Sequence, residues 1–262
     1  PSGNLKVEDL NFSQRNFDVF SKAYNRPYGL VLVTGPTGSG KSTTLYATLG
    51  DVAKPEINII TVEDPVEFRM RGINQVQVNN KAGMTFAAAL RSILRADPDV
   101  VLIGEIRDQE TANIAIEASL TGHLVLSTLH TNDAPSAVTR LTEMGVEPFL
   151  LSSSLAAVMA QRLARRLCKK CKRQDTATEA ELRTLGVPHM PDTPLPTIWR
   201  PVGCRECANT GYSGRVAIQQ VMGVDSTMED LIARGATSID IDKAAKEQGM
   251  TTLRKDGWQK AL

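Results

Sequence analysis

Apolar residues recur along this chain in two rhythms. Unbroken apolar runs at residues 30–33 and 100–103, and mainly apolar, β-branched stretches at 57–62 and 123–129, read as strands buried on both faces. Between them the spacing turns helical. Residues 85–95 place Phe86, Leu90, Ile93 and Leu94 on one face, with Thr85 as a candidate cap. Residues 110–120 offer Ala112, Ala115 and Ile116 as packing positions, and residues 43–49 read as a helix closed by Gly50. Strands alternating with helices predict an α/β fold with a twisted, mostly parallel, doubly wound sheet. Residues 1–28 form a lead-in, with Leu10, Phe12, Phe17, Val19 and Phe20 on a short amphipathic helix broken at Pro27. Residues 66–78 suggest a hairpin around Gly72. Beyond Ala134 the pattern predicts helices at 135–144 and 148–167, an irregular Pro-rich stretch, a returning strand at 214–222 and three short terminal helices. The expected divisions are a lead-in (1–28), a core (29–165), an insert (166–214) and a C-terminal strand with helices (215–262).

Composition narrows the function. At 262 residues the chain can bury one large core. Thirty basic against twenty-nine acidic side chains leave a net charge of +1, and aromatics are only 5%. Neither supports a nucleic-acid protein, which needs a basic footprint or stacking platforms. No apolar run approaches the roughly 18–20 residues of a membrane span, and the N-terminus lacks the form of a signal peptide. A cytosolic protein is expected. The abrupt start without Met predicts a piece of something longer.

The chemistry concentrates at strand ends. Gly35-Pro36-Thr37-Gly38-Ser39-Gly40-Lys41-Ser42, followed by Thr43, matches the phosphate-binding loop G-x-x-x-x-G-K-[ST], and it lies between a strand and a helix as that motif requires. Its backbone N–H groups and the helix N-terminus suit phosphate oxygens, Lys41 can reach the β- and γ-phosphates, and Ser42 can ligate Mg²⁺. Glu63 and Glu105 end two other strands, expected to flank the phosphate-loop strand. One carboxylate can orient an attacking water while another holds the metal. His130 ends a strand and can meet a γ-phosphate through a ring N–H; His123, at the strand's other end, reads better as a packing residue. Cys168-x2-Cys171 and Cys204-x2-Cys207 have the spacing of two knuckles sharing one structural Zn²⁺. Around the first knuckle Arg162, Arg165, Arg166, Lys169, Lys170, Lys172 and Arg173 form a basic cluster, suited to a solvated face or an acidic partner.

Laid out this way, the chain resembles the secretion-superfamily hexameric ATPases of type II secretion and type IV pilus assembly. The resemblance rests on GPTGSGKST at 35–43, ITVEDPVEF at 60–68 (similar to an aspartate box), LRADPDVVLIGEIRD at 94–108 (similar to an atypical Walker B with Gly104 in the usual aspartate's place), TGHLVLSTLHTND at 121–133 (similar to a histidine box), the tetracysteine module and GYSGR at 211–215. It implies a RecA-like core with a zinc lobe, and ATP with Mg²⁺ as substrate and cofactor. It implies Glu63 as general base, Glu105 as the Mg²⁺-associated acid and His130 as γ-phosphate sensor. It also implies a homohexamer peripheral to the inner membrane, working on a platform protein with a cytoplasmic adaptor. The zinc module favours assembly or secretion over retraction. An upstream domain supplying arginines in trans lies outside this sequence, and Gln219-Gln220 stands where relatives carry an aromatic-acidic pair. The rival readings are a nucleic-acid motor and a nucleotide-gated scaffold.

Overall fold

Parallel strands buried on both faces dominate the centre of the molecule. The structure, a computed structural model, describes residues 5–262; the opening residues 1–4 of the expected lead-in lie outside the described residues. A helix α1 (Gln14–Tyr24) leads into β1 (Gly29–Thr34), α2 (Lys41–Val52), β2 (Ile59–Glu63) and β3 (Asn74–Gln77). Then follow α3 (Phe86–Ile93), β4 (Val100–Ile103), α4 (Gln109–Leu120), β5 (Leu124–Leu129), α5 (Pro135–Glu143) and α6 (Pro148–Ser154). The remainder is β6 (Leu155–Leu167), β7 (Arg173–Thr176), α7 (Glu179–Leu185), β8 (Thr197–Arg200), β9 (Tyr212–Gly223), α8 (Ser226–Ala233), α9 (Ser238–Glu247) and α10 (Leu253–Ala261).

Seven strands form one sheet in the order β3-β2-β4-β5-β1-β6-β9, and only β9 runs antiparallel to its neighbour. Because successive side chains on a strand point to opposite faces, β1 divides its payload. Leu30 and Leu32 join a core with α3 to α6, α8 and α9, whereas Val31 and Val33 join a second core with α1 and α2. All four are fully buried, which is why the run shows no polar alternation. Burying a residue of this size stabilises by about 1.5–3 kcal/mol.

Several expectations fail here for identifiable reasons. Residues 155–167 form a strand, not the second half of a helix. β6 pairs with β1 on one side and β9 on the other, and its first seven residues are buried. Residues 66–78 make no hairpin; β3 instead lies parallel to β2. Gly50 falls inside α2, which runs on to Val52. The insert is less irregular than its prolines suggest, holding α7 and the two-stranded β7–β8 sheet. Finally, β2 and β4 do not flank β1. The neighbours of β1 are β5 and β6, so Glu63 and Glu105 reach the site from further along the sheet.

Candidate nucleotide site and cysteine centre

A parallel sheet brings the C-terminal ends of its strands to one edge, where ligands of open α/β folds gather. The loops after β1, β2, β4 and β5 meet there around a cavity of about 640 Å³. Its lining includes Lys41, Ser42, Glu63, Glu105 and His130. The sheet order therefore supplies the convergence that strand adjacency does not.

The phosphate loop is shaped by close packing. Gly35 and Gly40 have φ of +150° and +86°. A Cβ at Gly35 would lie 2.4 Å from the Gln161 carbonyl oxygen, and one at Gly40 would lie 2.9 Å from Gln161 Nε2. Only glycine fits both positions. Lys41 Nζ donates to the carbonyls of Gly35 and Pro36 at 2.9 and 3.1 Å. Burial lowers the proton affinity of this amine, and the charge of Glu105 partly restores it.

Glu63 is 4% exposed, and its carboxylate is held on both oxygens. Tyr46 donates its hydroxyl to Oε2, while Oε1 accepts from Thr61 Oγ1 at 2.5 Å and Gln75 Nε2 at 3.3 Å. Burial, followed by the hydrogen bond to Glu63, raises the Tyr46 pKa far above neutral pH, so the phenol stays a donor. Glu105 pairs with Arg107 through Oε1 and has Oε2 3.4 Å from His130 Nε2. Its carboxylate, like the Ser42 hydroxyl, faces the same cavity, and oxygen donors of this kind suit Mg²⁺. His123 lies at the opposite end of β5, with Nδ1 3.0 Å from the Ala118 carbonyl oxygen, as a packing residue would.

The four cysteines gather outside the main sheet, at the end of β6 and the start of β9. Their sulfurs all lie within 4.8 Å of one another. Four thiolates about 2.3 Å from one Zn²⁺ in a tetrahedron stand about 3.8 Å apart. The observed spacings are 3.9 Å for Cys168–Cys204 and 3.8 Å for both Cys171–Cys207 and Cys204–Cys207. Backbone amides aim at the sulfurs, from Gly203 to Cys171 and from Cys204 and Gly211 to Cys207 at 3.2–3.3 Å. Burial pushes the Cys207 thiol up, but the amides of Cys204 and Gly211 bring it down to about 6. The set fits a closed structural zinc site.

The family model described as "Type II/IV secretion system protein" matches residues 2–262. The chain belongs to that family. Among its relatives, type II secretion system protein E of Aeromonas hydrophila is 49% identical over 98% of this chain. The type IV pilus assembly ATPase PilB of Thermus thermophilus is likewise 49% identical over 98%. The chain spans 51% and 29% of these two proteins' lengths. A crystal structure titled as the pilus retraction motor PilT with bound ADP shares the fold, with a TM-score of 0.63 and 26% identity. That match covers 98% of this chain and 67% of the PilT chain.

Within this secretion-system protein, Thr61 and Arg215 sit inside the sequence motifs without being marked by them, while Tyr46 and Gln75 lie outside the motifs altogether. Thr61 stands two residues before Glu63, so strand periodicity puts both on one face, and that signal was readable. Tyr46 lies in the helix after the phosphate loop, with nothing local to tie it to Glu63. Gln75 reaches Glu63 through the β2–β3 register, which pairs it with Thr61. Arg215 lines the cavity from β9. In the basic cluster, Arg165 lies over the Tyr212 ring and Lys172 over the Trp199 ring, each at 3.9 Å. Arg162 donates to Asn132 Oδ1 at 3.0 Å. These cations are partly tied into the fold. Among the described residues, no helix is long and apolar enough to cross a membrane.

Proposed function

We propose that this chain is the motor unit of a type II secretion or type IV pilus assembly ATPase, binding Mg²⁺-ATP and hydrolysing its γ-phosphate. The observation that carries this is a single cavity lined by the phosphate loop, Glu63, Glu105 and His130. The loop amides and Lys41 hold the phosphates. Glu63 orients and deprotonates the attacking water, its carboxylate fixed by Tyr46, Thr61 and Gln75. His130, held near Glu105, contacts the γ-phosphate. Bound through Ser42 and Glu105, Mg²⁺ would neutralise phosphate charge.

The names of the relatives point to the output. Hydrolysis in a homohexamer of the full-length protein moves an inner-membrane platform protein, with a cytoplasmic adaptor recruiting the motor to the membrane surface. The cysteine lobe, present here, fits assembly or secretion. The test is phosphate release from Mg²⁺-ATP by the full-length protein. Glu63→Gln should lower kcat by about 10²–10⁴, as loss of general base catalysis does, while ADP binding persists. An unchanged rate would remove Glu63 from that role.

A further inference from the structure

Strand β6 supplies no acid or base to this scheme, yet it grips the site. Gln161 is 2% exposed, and both ends of its amide are used. Nε2 donates to the Ser39 carbonyl at 2.8 Å, and Oε1 accepts from Thr44 Oγ1 at 2.9 Å. Ser39 lies within the phosphate loop and Thr44 within the first turn of α2. One side chain thus fastens the loop and the helix it opens to a strand distant in sequence. An amide head carries a donor and an acceptor side by side, so glutamine can serve both at once. The next residue, Arg162, holds the other side of the site through Asn132, two residues beyond His130. Strand β9 adds a third tie, since Gln220 Oε1 accepts from the amide of Ala134, just after that loop, at 2.9 Å. Gln161 pairs with Gln219 across the β6–β9 ribbon, and β6 ends at Leu167, next to Cys168.

We propose that Gln161 is the positioning residue of the phosphate loop, and that through it nucleotide binding is transmitted to the β6–β9 ribbon leading into the cysteine lobe. This rests on the nucleotide-binding reading above. A buried amide whose two groups are both satisfied resists independent motion, because breaking either bond strands a polar group. Any adjustment of the loop to bound phosphates is therefore shared with β6.

The test uses the full-length protein and a fluorescent ADP analogue. Gln161→Met keeps the side-chain length and removes both hydrogen bonds. We expect the Kd for the analogue to rise about tenfold, the scale of two neutral hydrogen bonds. Thr44→Val, which removes one, should raise it about threefold, and the double variant should be no worse than Gln161→Met alone, as for groups acting as one unit. In the wild type, ADP should slow amide hydrogen exchange along residues 160–165 and 215–220. In Gln161→Met that slowing should be lost even at saturating ADP, a readout that mere packing would not move. A Kd within twofold of wild type in either single variant overturns the proposal, as does unchanged slowing in Gln161→Met. Should Gln161→Met not fold, Thr44→Val decides by the same criterion. A wild-type protein that binds no analogue would instead overturn the nucleotide reading itself.

Discussion

Replacing Tyr46 by Phe tests whether the orientation of Glu63 governs turnover. The two donors on Oε1, Thr61 and Gln75, survive the change, while Oε2 loses Tyr46. The ring itself is retained, including its edge-to-face contact with Phe68 at 4.5 Å between centroids. A hydrogen bond to a charged group is worth about 1.5–3 kcal/mol. If that energy holds the carboxylate in its productive orientation, kcat should fall by about 10–100-fold. Folding should suffer too, by about 1–3 kcal/mol, because Glu63 Oε2 and the Glu67 amide both lose a partner, at roughly 2–4 °C of melting shift per kcal/mol for a chain of this size. The Kd for ADP should not move, because Tyr46 contacts the acid and not the phosphate loop. Steady-state phosphate release and a fluorescent ADP titration, run on the same preparation, separate the two effects. A kcat within twofold of wild type would refute the reasoning, as would a loss that appears equally in ADP affinity.

Lys41→Ala removes the cation from the phosphate loop, so ADP should no longer raise the melting temperature; a retained shift would place nucleotide elsewhere. Cys204→Ser breaks the four-sulfur cage, and elemental analysis of protein purified without chelator should fall from about one zinc per chain to below half. An unchanged zinc content would count against that site. Lys260→Met strands Asp256, which is fully buried and would keep only the Gln219 amide as donor. Chemical denaturation should show a loss of about 3–5 kcal/mol, recovered in part when Asp256→Asn is added, since the Ala217 carbonyl and Gln219 Oε1 also lose Lys260 as donor. Equal stability would mean that the pair is not desolvated as the structure places it.

The phosphate loop and the cysteine pairs were readable from the sequence because their chemistry is local. Eight consecutive residues form the loop on one side of the cavity, and two C-x-x-C units with fixed sulfur reach build the cysteine centre. The runs 30–33 and 100–103 were equally plain, since these strands, covered on both faces, carry no polar residue to confuse their period. Strand β5 carries Ser127 and Thr128, whose burial is tolerated because each donates to a carbonyl at the end of β4, Ile103 and Gly104. Residues 155–167 show where that logic ends. Leu155, Val158, Met159 and Leu163 recur at helical spacing, and Ala, Leu, Gln and Arg favour helix. Pairing with β1 and β9 overrides that preference, as tertiary context commonly does for a strand buried on both faces. Strand order is likewise a tertiary property. The chain itself marked Glu63, Glu105 and His130 as strand-end residues, but the neighbours of β1 were settled by which edges close the two cores. The same distinction separates Thr61, visible two residues from Glu63, from Tyr46, Gln75 and Gln161. Those three act across distances that only the folded backbone brings within hydrogen-bond reach.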